Sequence, residues 1–185
     1  MKLEKVILVD QEDNAIGEME KMEAHKKALL HRAVSVFIFN SKKELLLQRR
    51  ALTKYHSSGL WTNTVCTHPY PNETNKDAAI RRLKEEMGLV TDVIKIFDFT
   101  YKEKIDNELT EYEFDHVFIG FTDDSPIPDP SEVYDFKYVD ISLIEEQITH
   151  SPEDYTVWFR KIIKRVLGYV NANTSSFSSN HISDN

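Results

Sequence analysis

The chain has a single cysteine, Cys66, so no internal disulfide can form. It reads as a free thiol suited to a reducing compartment, and the cytoplasm is the expected setting. Long apolar runs are also missing. The run at residues 6–9 is far too short for a secretory h-region or a membrane span, and no membrane association is expected. Positive charge is in deficit, with a formal net charge of −8, which argues against a general nucleic-acid binder. That balance still allows a small anionic ligand held by a local cluster of cations. No internal repeat is present. With 185 residues, 41% of them hydrophobic, the chain suffices for one domain with a real core.

The pattern along the chain predicts mixed α/β architecture. A short strand at residues 6–9 ends in a polar turn at 10–14, and residues 18–30 are read as partly helical. Residues 34–39 and 44–48, joined by Asn40-Ser41-Lys42-Lys43, predict a hairpin. The clearest helix spans 75–87, where Ala79, Leu83 and Met87 recur at a spacing of four and Gly88 supplies a stop. Strands are expected at 94–101, 112–121 and 136–139, with a proline-rich loop near 125–130. Ser151-Pro152-Glu153-Asp154 has the composition of a helix start, and Trp158, Ile162, Val166 and Tyr169 recur on the turns that follow. One domain is expected over residues 1–170, and the polar segment 171–185 is read as a disordered tail.

Two groups of residues carry chemistry. On the 75–87 helix, Arg81-Arg82-Leu83-Lys84-Glu85-Glu86-Met87-Gly88-Leu89 resembles the core of the Nudix box, REUXEEXGU with U aliphatic. The upstream half of the box registers through Glu73, with Thr67 in place of its glycine and Arg82 in place of a glutamate. Such a helix can aim carboxylates at a divalent cation bridging diphosphate oxygens. Its plainer alternative is a solvated face with Arg81–Glu85 and Arg82–Glu86 pairs. The second group is His25, His31 and His68 with Glu111 and Glu113. On a strand, residues two apart share a face at roughly 6–7 Å, so the two carboxylates can converge on one ion. The ligand set suits manganese, magnesium or zinc. Asp115 shares that face, His116 lies on the opposite one, and His56, His150 and His181 are read as surface residues.

Five motifs in order, EKMEAHKKALLH, LLLQRRALTK, GLWTNTVCTHP, FTYKE and EYEFDHVF, together with the imperfect box, resemble the type I isopentenyl-diphosphate isomerases of the Nudix superfamily. The resemblance covers residues 3 to about 160. It implies a Nudix-like mixed sheet flanked by helices and an isoprenoid diphosphate substrate. It further implies a first metal site of His25, His31, His68, Glu111 and Glu113. A second magnesium would be held by Glu86 and the Cys66 carbonyl. Lys21, Arg50, Lys54 and Arg82 match the family's diphosphate ligands, which gives arginine at position 82 a purpose. His25 and His31 are six apart where related enzymes can have seven.

The implied chemistry adds a proton at one carbon of an isolated double bond and removes another from its neighbour, with Cys66 and Glu113 as the acid/base pair. Tyr101 matches a tyrosine that hydrogen-bonds near this glutamate. Trp158 either packs its helix or covers a cationic intermediate with its ring face. A monomer or weak homodimer is expected. The competing readings are a Nudix diphosphohydrolase and a binding module with a structural zinc site of Cys66, His25, His31 and His68.

Overall fold

A computed structural model describes residues 4–105 and 108–177, with side chains as far as Asn173. The chain order is β1 (Lys5–Val9), β2 (Ala15–Glu20), α1 (Lys21–Lys26), β3 (His31–Phe39), β4 (Glu44–Arg50), β5 (Trp61–Thr62) and β6 (Val65–Thr67). There follow α2 (Asn75–Met87), β7 (Val93–Lys104), β8 (Thr110–Phe121), β9 (Val133–Asp140), α3 (Ile141–His150) and α4 (Val157–Phe177).

β3 is the organising strand. It pairs antiparallel with β1, β4 and β6, and parallel with β8 along its whole length from His31↔Glu113 to Phe39↔Phe121. A strand covered on both faces reads as a continuous apolar run rather than an alternating one. That is the pattern of Val34-Ser35-Val36-Phe37-Ile38-Phe39, all buried. Val34, Val36 and Ile38 pack with Leu83 and Met87 of α2. Phe37 and Phe39 pack on the other face with Trp158, Phe159 and Ile162 of α4 and with Ile144 of α3. The mixed sheet is therefore flanked by helices, as expected.

The α2 boundaries match the sequence reading. Thr74 caps its N-terminus by accepting from the Asp77 amide, and Gly88 ends it at φ 66° in the left-handed region. Leu83 is fully buried on this helix. Leu83→Ala is expected to destabilise the protein by about 3 kcal/mol, read from the midpoint of urea unfolding.

Five elements differ from expectation: β2, β5, β6, α3 and the start of α4. β2 and α3 carry weak sequence signals, and α3 is fixed by its cap, Asp140 Oδ1 accepting from Ser142 N at 2.8 Å. Ser151 to Asp154 forms only a 3₁₀ turn. The chain then docks on β5, with Thr156 N donating to Trp61 O at 2.9 Å and the Thr62 and Thr156 hydroxyls 2.9 Å apart, before α4 begins at Val157. The start of the last helix is thus set by tertiary contact. Its end also moves: α4 runs on through Phe177, past the boundary expected at Val170. A long packed helix propagates into poor helix formers at little cost once nucleated, and Asn173 Nδ2 donates back to Tyr169 O at 2.8 Å. Residues 178–185, His181 among them, lie outside the described residues.

Candidate active site

Strand register builds the site. Directly opposite residues share a face, so the β3–β8 pair His31↔Glu113 and the β7–β8 pair Tyr101↔Glu113 place Glu113 between an imidazole and a phenol. The β3–β6 pair Ser35↔Cys66 puts the thiol on that face. α1, capped by Glu20 through the amides of Met22 and Glu23, adds His25 from its last turn.

His25 Nδ1 lies 2.7 Å from Lys21 O and His31 Nδ1 lies 2.8 Å from Leu29 O. Backbone carbonyls only accept, so both rings carry a proton on Nδ1 and turn Nε2 toward the carboxylates. Those two Nε2 atoms are buried without a hydrogen-bond partner. Around them, His25 Nε2 is 3.3 Å from Glu111 Oε2, His68 Nε2 is 3.0 Å from Glu113 Oε1, and His31 Nε2 is 3.6 Å from the same oxygen. Ligand atoms of His25, His31, His68 and Glu113 all lie within 4.8 Å of one another. Burial pushes the His68 imidazole down to about 4, so it is neutral near pH 7. Burial alone would raise Glu113, but the imidazoles of His31 and His68 set against it outweigh burial and hold the carboxyl well below its ordinary value. Three imidazoles converge on the carboxylates with the Nε2 atoms of His25 and His31 left without a hydrogen-bond partner, a donor set fitted to a divalent cation. The six-residue spacing of His25 and His31 is accommodated by a short connection with Ala28 at φ 51°, and the rings stand 4.8 Å apart.

His56 corrects the sequence reading. It is buried, with Nε2 3.1 Å from Glu111 Oε1 and its ring edge-on to Tyr55 and Trp158. The polar segment between β4 and β5 turns on Gly59 at φ 72° and folds back, the Gly59 amide bonding Arg50 O. His25, His56 and Glu111 form a second convergent group. His116 is buried on the opposite face, 3.1 Å from Asp13, and His150 is exposed.

The thiol belongs to a separate network. Cys66 Sγ donates to Asn63 Oδ1 at 3.2 Å and lies 3.7 Å from Ser35 Oγ. Asn63 is fixed in turn, its Nδ2 donating to the carbonyls of Val36 and Val65. Ser35 Oγ donates to Asp115 Oδ2 at 2.7 Å, which gives Asp115 a place behind the thiol. No cysteine ligand joins either histidine group among the described residues, so a zinc site through Cys66 has no support. Burial, then the nearby Asp115, push the thiol up to about 12. Because the thiolate is the nucleophile, alkylation by iodoacetamide at pH 8 is expected to run about a thousandfold slower than for an ordinary thiol of pKa near 8.5. It should still be rising at pH 10, which mass spectrometry of the labelled chain will read.

Tyr101 Oη donates to Glu113 Oε2 at 2.7 Å. Trp158, 4% exposed, is anchored by its Nε1 donating to Thr62 Oγ1 at 3.0 Å, and the Arg50 guanidinium lies 5.5 Å from its ring. It packs its helix and lines the cavity as well. Lys21, Arg50, Lys54, Arg82 and Glu86 line the same cavity. Glu86 is buried, accepts from Gln48 Nε2 at 2.7 Å and faces Arg82 at 2.8 Å. Burial raises its carboxyl above the ordinary value. The box residue Glu73 instead pairs with Arg81, at 2.6 and 2.9 Å. Every site residue expected from sequence except the fully buried His31 lines one cavity of about 1200 Å³. Sequence reasoning assigned His56 to the surface and passed over Ser35, Asn63, Glu4 and Glu132. Only Asn63, inside the GLWTNTVCTHP motif, carried a signal beside the cysteine.

A box helix set against a mixed sheet defines a Nudix protein, and the NUDIX domain model matches residues 29–162. The chain has the fold of DR0079 from Deinococcus radiodurans, with a TM-score of 0.74 at 20% identity over 88% of this chain and 98% of that one. It is 48% identical to isopentenyl-diphosphate Delta-isomerase 2 of Aromatoleum aromaticum, over 89% of this chain and 87% of that protein. It is also 48% identical to the isopentenyl-diphosphate Delta-isomerase of Pectobacterium atrosepticum, over 91% and 94%. The chain belongs to the isopentenyl-diphosphate Delta-isomerase family of the Nudix superfamily.

Proposed function

We infer that the protein converts isopentenyl diphosphate to dimethylallyl diphosphate by proton addition and removal. The observation that carries this reading is that Cys66, Glu113 and the cations Lys21, Arg50, Lys54 and Arg82 all line one cavity. An isolated double bond offers no charge to attack, so the catalyst must supply an acid and a base fixed on the reacting carbons. Cys66 is held as a neutral thiol and Glu113 as a carboxylate. Between them they hold one proton to give and one place to receive, which is what a double-bond shift needs. Tyr101 orients Glu113, while Asn63 and Ser35 orient the thiol. Trp158 offers its ring face to developing positive charge, a contact of about 2 kcal/mol when desolvated.

Lys21, Arg50, Lys54 and Arg82 would bind the diphosphate, whose remote binding energy fixes the carbon skeleton. His25, His31, His68, Glu111 and Glu113 would hold a first divalent metal, manganese, magnesium or zinc, and Glu86 with the Cys66 carbonyl a magnesium. When bound, such ions would supply positive charge to stabilise the ionised Glu113 and the diphosphate. The free thiol suits the cytoplasm, and among the described residues no helix is long and apolar enough to cross a membrane. The diphosphohydrolase reading has no task for Cys66. It also meets Arg82 where a carboxylate would be needed. Incubation with isopentenyl diphosphate, followed by ³¹P and ¹H NMR, is expected to give the allylic isomer with the diphosphate intact. Orthophosphate release from nucleoside diphosphates without isomerisation would reject the assignment.

A further inference from the structure

Two of the cations lining the cavity already share a carboxylate. Arg82 Nη2 lies 2.6 Å from Glu132 Oε2, and Lys54 Nζ donates to the same oxygen. Glu132 reaches them from the segment just before β9, far in sequence from both. Its backbone is tied on both sides: its amide donates to Asp129 O at 3.0 Å, and its carbonyl accepts from Ala51 N at 2.9 Å. Only the side chain is left to move. At 23% exposure, with Lys54 and Arg82 at 20% and 21%, the group is screened enough for the pairing to matter and close enough to water for the carboxylate to leave. Arg82 has a second anchor in Glu86, itself held by Gln48, so the guanidinium keeps its place when Glu132 moves.

We propose that Glu132 is a placeholder for the substrate's diphosphate, a carboxylate that keeps Lys54 and Arg82 aimed into the cavity and is displaced when phosphate oxygens take those cations over. The proposal rests on the diphosphate-binding role given above to Lys54 and Arg82. A carboxylate and a multiply charged diphosphate cannot both keep the same two cations, because like charges at that separation repel strongly. Glu132 therefore acts as a positioning residue with a cost: it orders the cations and competes for them.

The two effects separate by substitution. Glu132→Gln keeps a carbonyl oxygen that can accept from Lys54 and Arg82 but removes the competing charge. Calorimetric titration of the full chain with inorganic pyrophosphate in magnesium buffer is expected to show about tenfold tighter binding in Glu132→Gln than in the unaltered protein, the scale of one removed charge–charge contact near a surface. Glu132→Ala, which loses the acceptor as well, is expected to tighten binding by less. Glu4→Gln is the internal comparison. Glu4 pairs with Lys21 at 3.2 Å, but its side chain is 44% exposed, and its removal should tighten binding by less than about threefold. Pyrophosphate binding that is equal or weaker in Glu132→Gln overturns the proposal while leaving the diphosphate reading intact. If the unaltered protein does not bind pyrophosphate, or Lys54→Ala does not weaken that binding, the diphosphate reading itself fails.

Discussion

Cys66→Ala is expected to lower turnover of isopentenyl diphosphate by about a thousandfold or more, at the upper end of what removal of one general acid/base costs. The substitution takes away a half-buried thiol whose known contacts are Asn63 Oδ1 and Ser35 Oγ, neither of which reaches the cations that would hold the diphosphate. Pyrophosphate affinity should therefore stay within about threefold of the unaltered protein, the loss appearing in kcat. The variant should also keep its metal, because the thiol belongs to neither convergent histidine group. Retention of most of the turnover by the alanine variant would remove Cys66 from the chemistry. A parallel loss of turnover and pyrophosphate binding would instead make its role structural.

Glu113→Gln should be as damaging for a different reason. Glu113 accepts from Tyr101 and faces the Nε2 atoms of His31 and His68, so its charge serves both proton transfer and the donor set of the cation site. The expected result is a turnover loss of about a thousandfold together with weaker retention of divalent metal, followed by elemental analysis after dialysis. Glu111→Gln provides the contrast. Glu111 lies against His25 and His56, and Tyr101 does not bond to it. Its loss should weaken the metal site, and excess metal should restore a large part of the turnover. Excess metal should not restore Glu113→Gln. Equal rescue of the two variants would mean that Glu113 acts only as a ligand.

Part of this site was legible from strong local signals, while the roles given to Cys66, Tyr101, Lys21, Arg50 and Lys54 came only from the motif resemblance. β3 is a buried apolar run, α2 has a capped helical period, and the two-residue spacing of Glu111 and Glu113 fixes a shared face on a strand. What a sequence cannot express is the fold-back of a polar loop. His56 lies among serine, glycine and lysine and reads as exposed, yet Gly59 turns its segment over the cavity. Glu132 was invisible for a related reason. Its partners Lys54 and Arg82 lie 78 and 50 residues away, and only the packed molecule brings all three together. The start of α4 failed differently. The serine–proline signal at residue 151 is real, but docking of Tyr155 and Thr156 on β5 interrupts the helix before it begins. Its extension to Phe177 follows from the stretch Trp158 to Val170, whose packing carries a polar continuation that composition alone assigns to coil.

The central claim is that Cys66 and Glu113 add and remove protons on carbon in one cavity. Turnover of isopentenyl diphosphate in deuterium oxide tests it most directly. The account predicts dimethylallyl diphosphate carrying solvent deuterium in a methyl group, with the label absent from the Cys66→Ala and Glu113→Gln reactions. Phosphate release without isomerisation, or an allylic product free of deuterium, would contradict it.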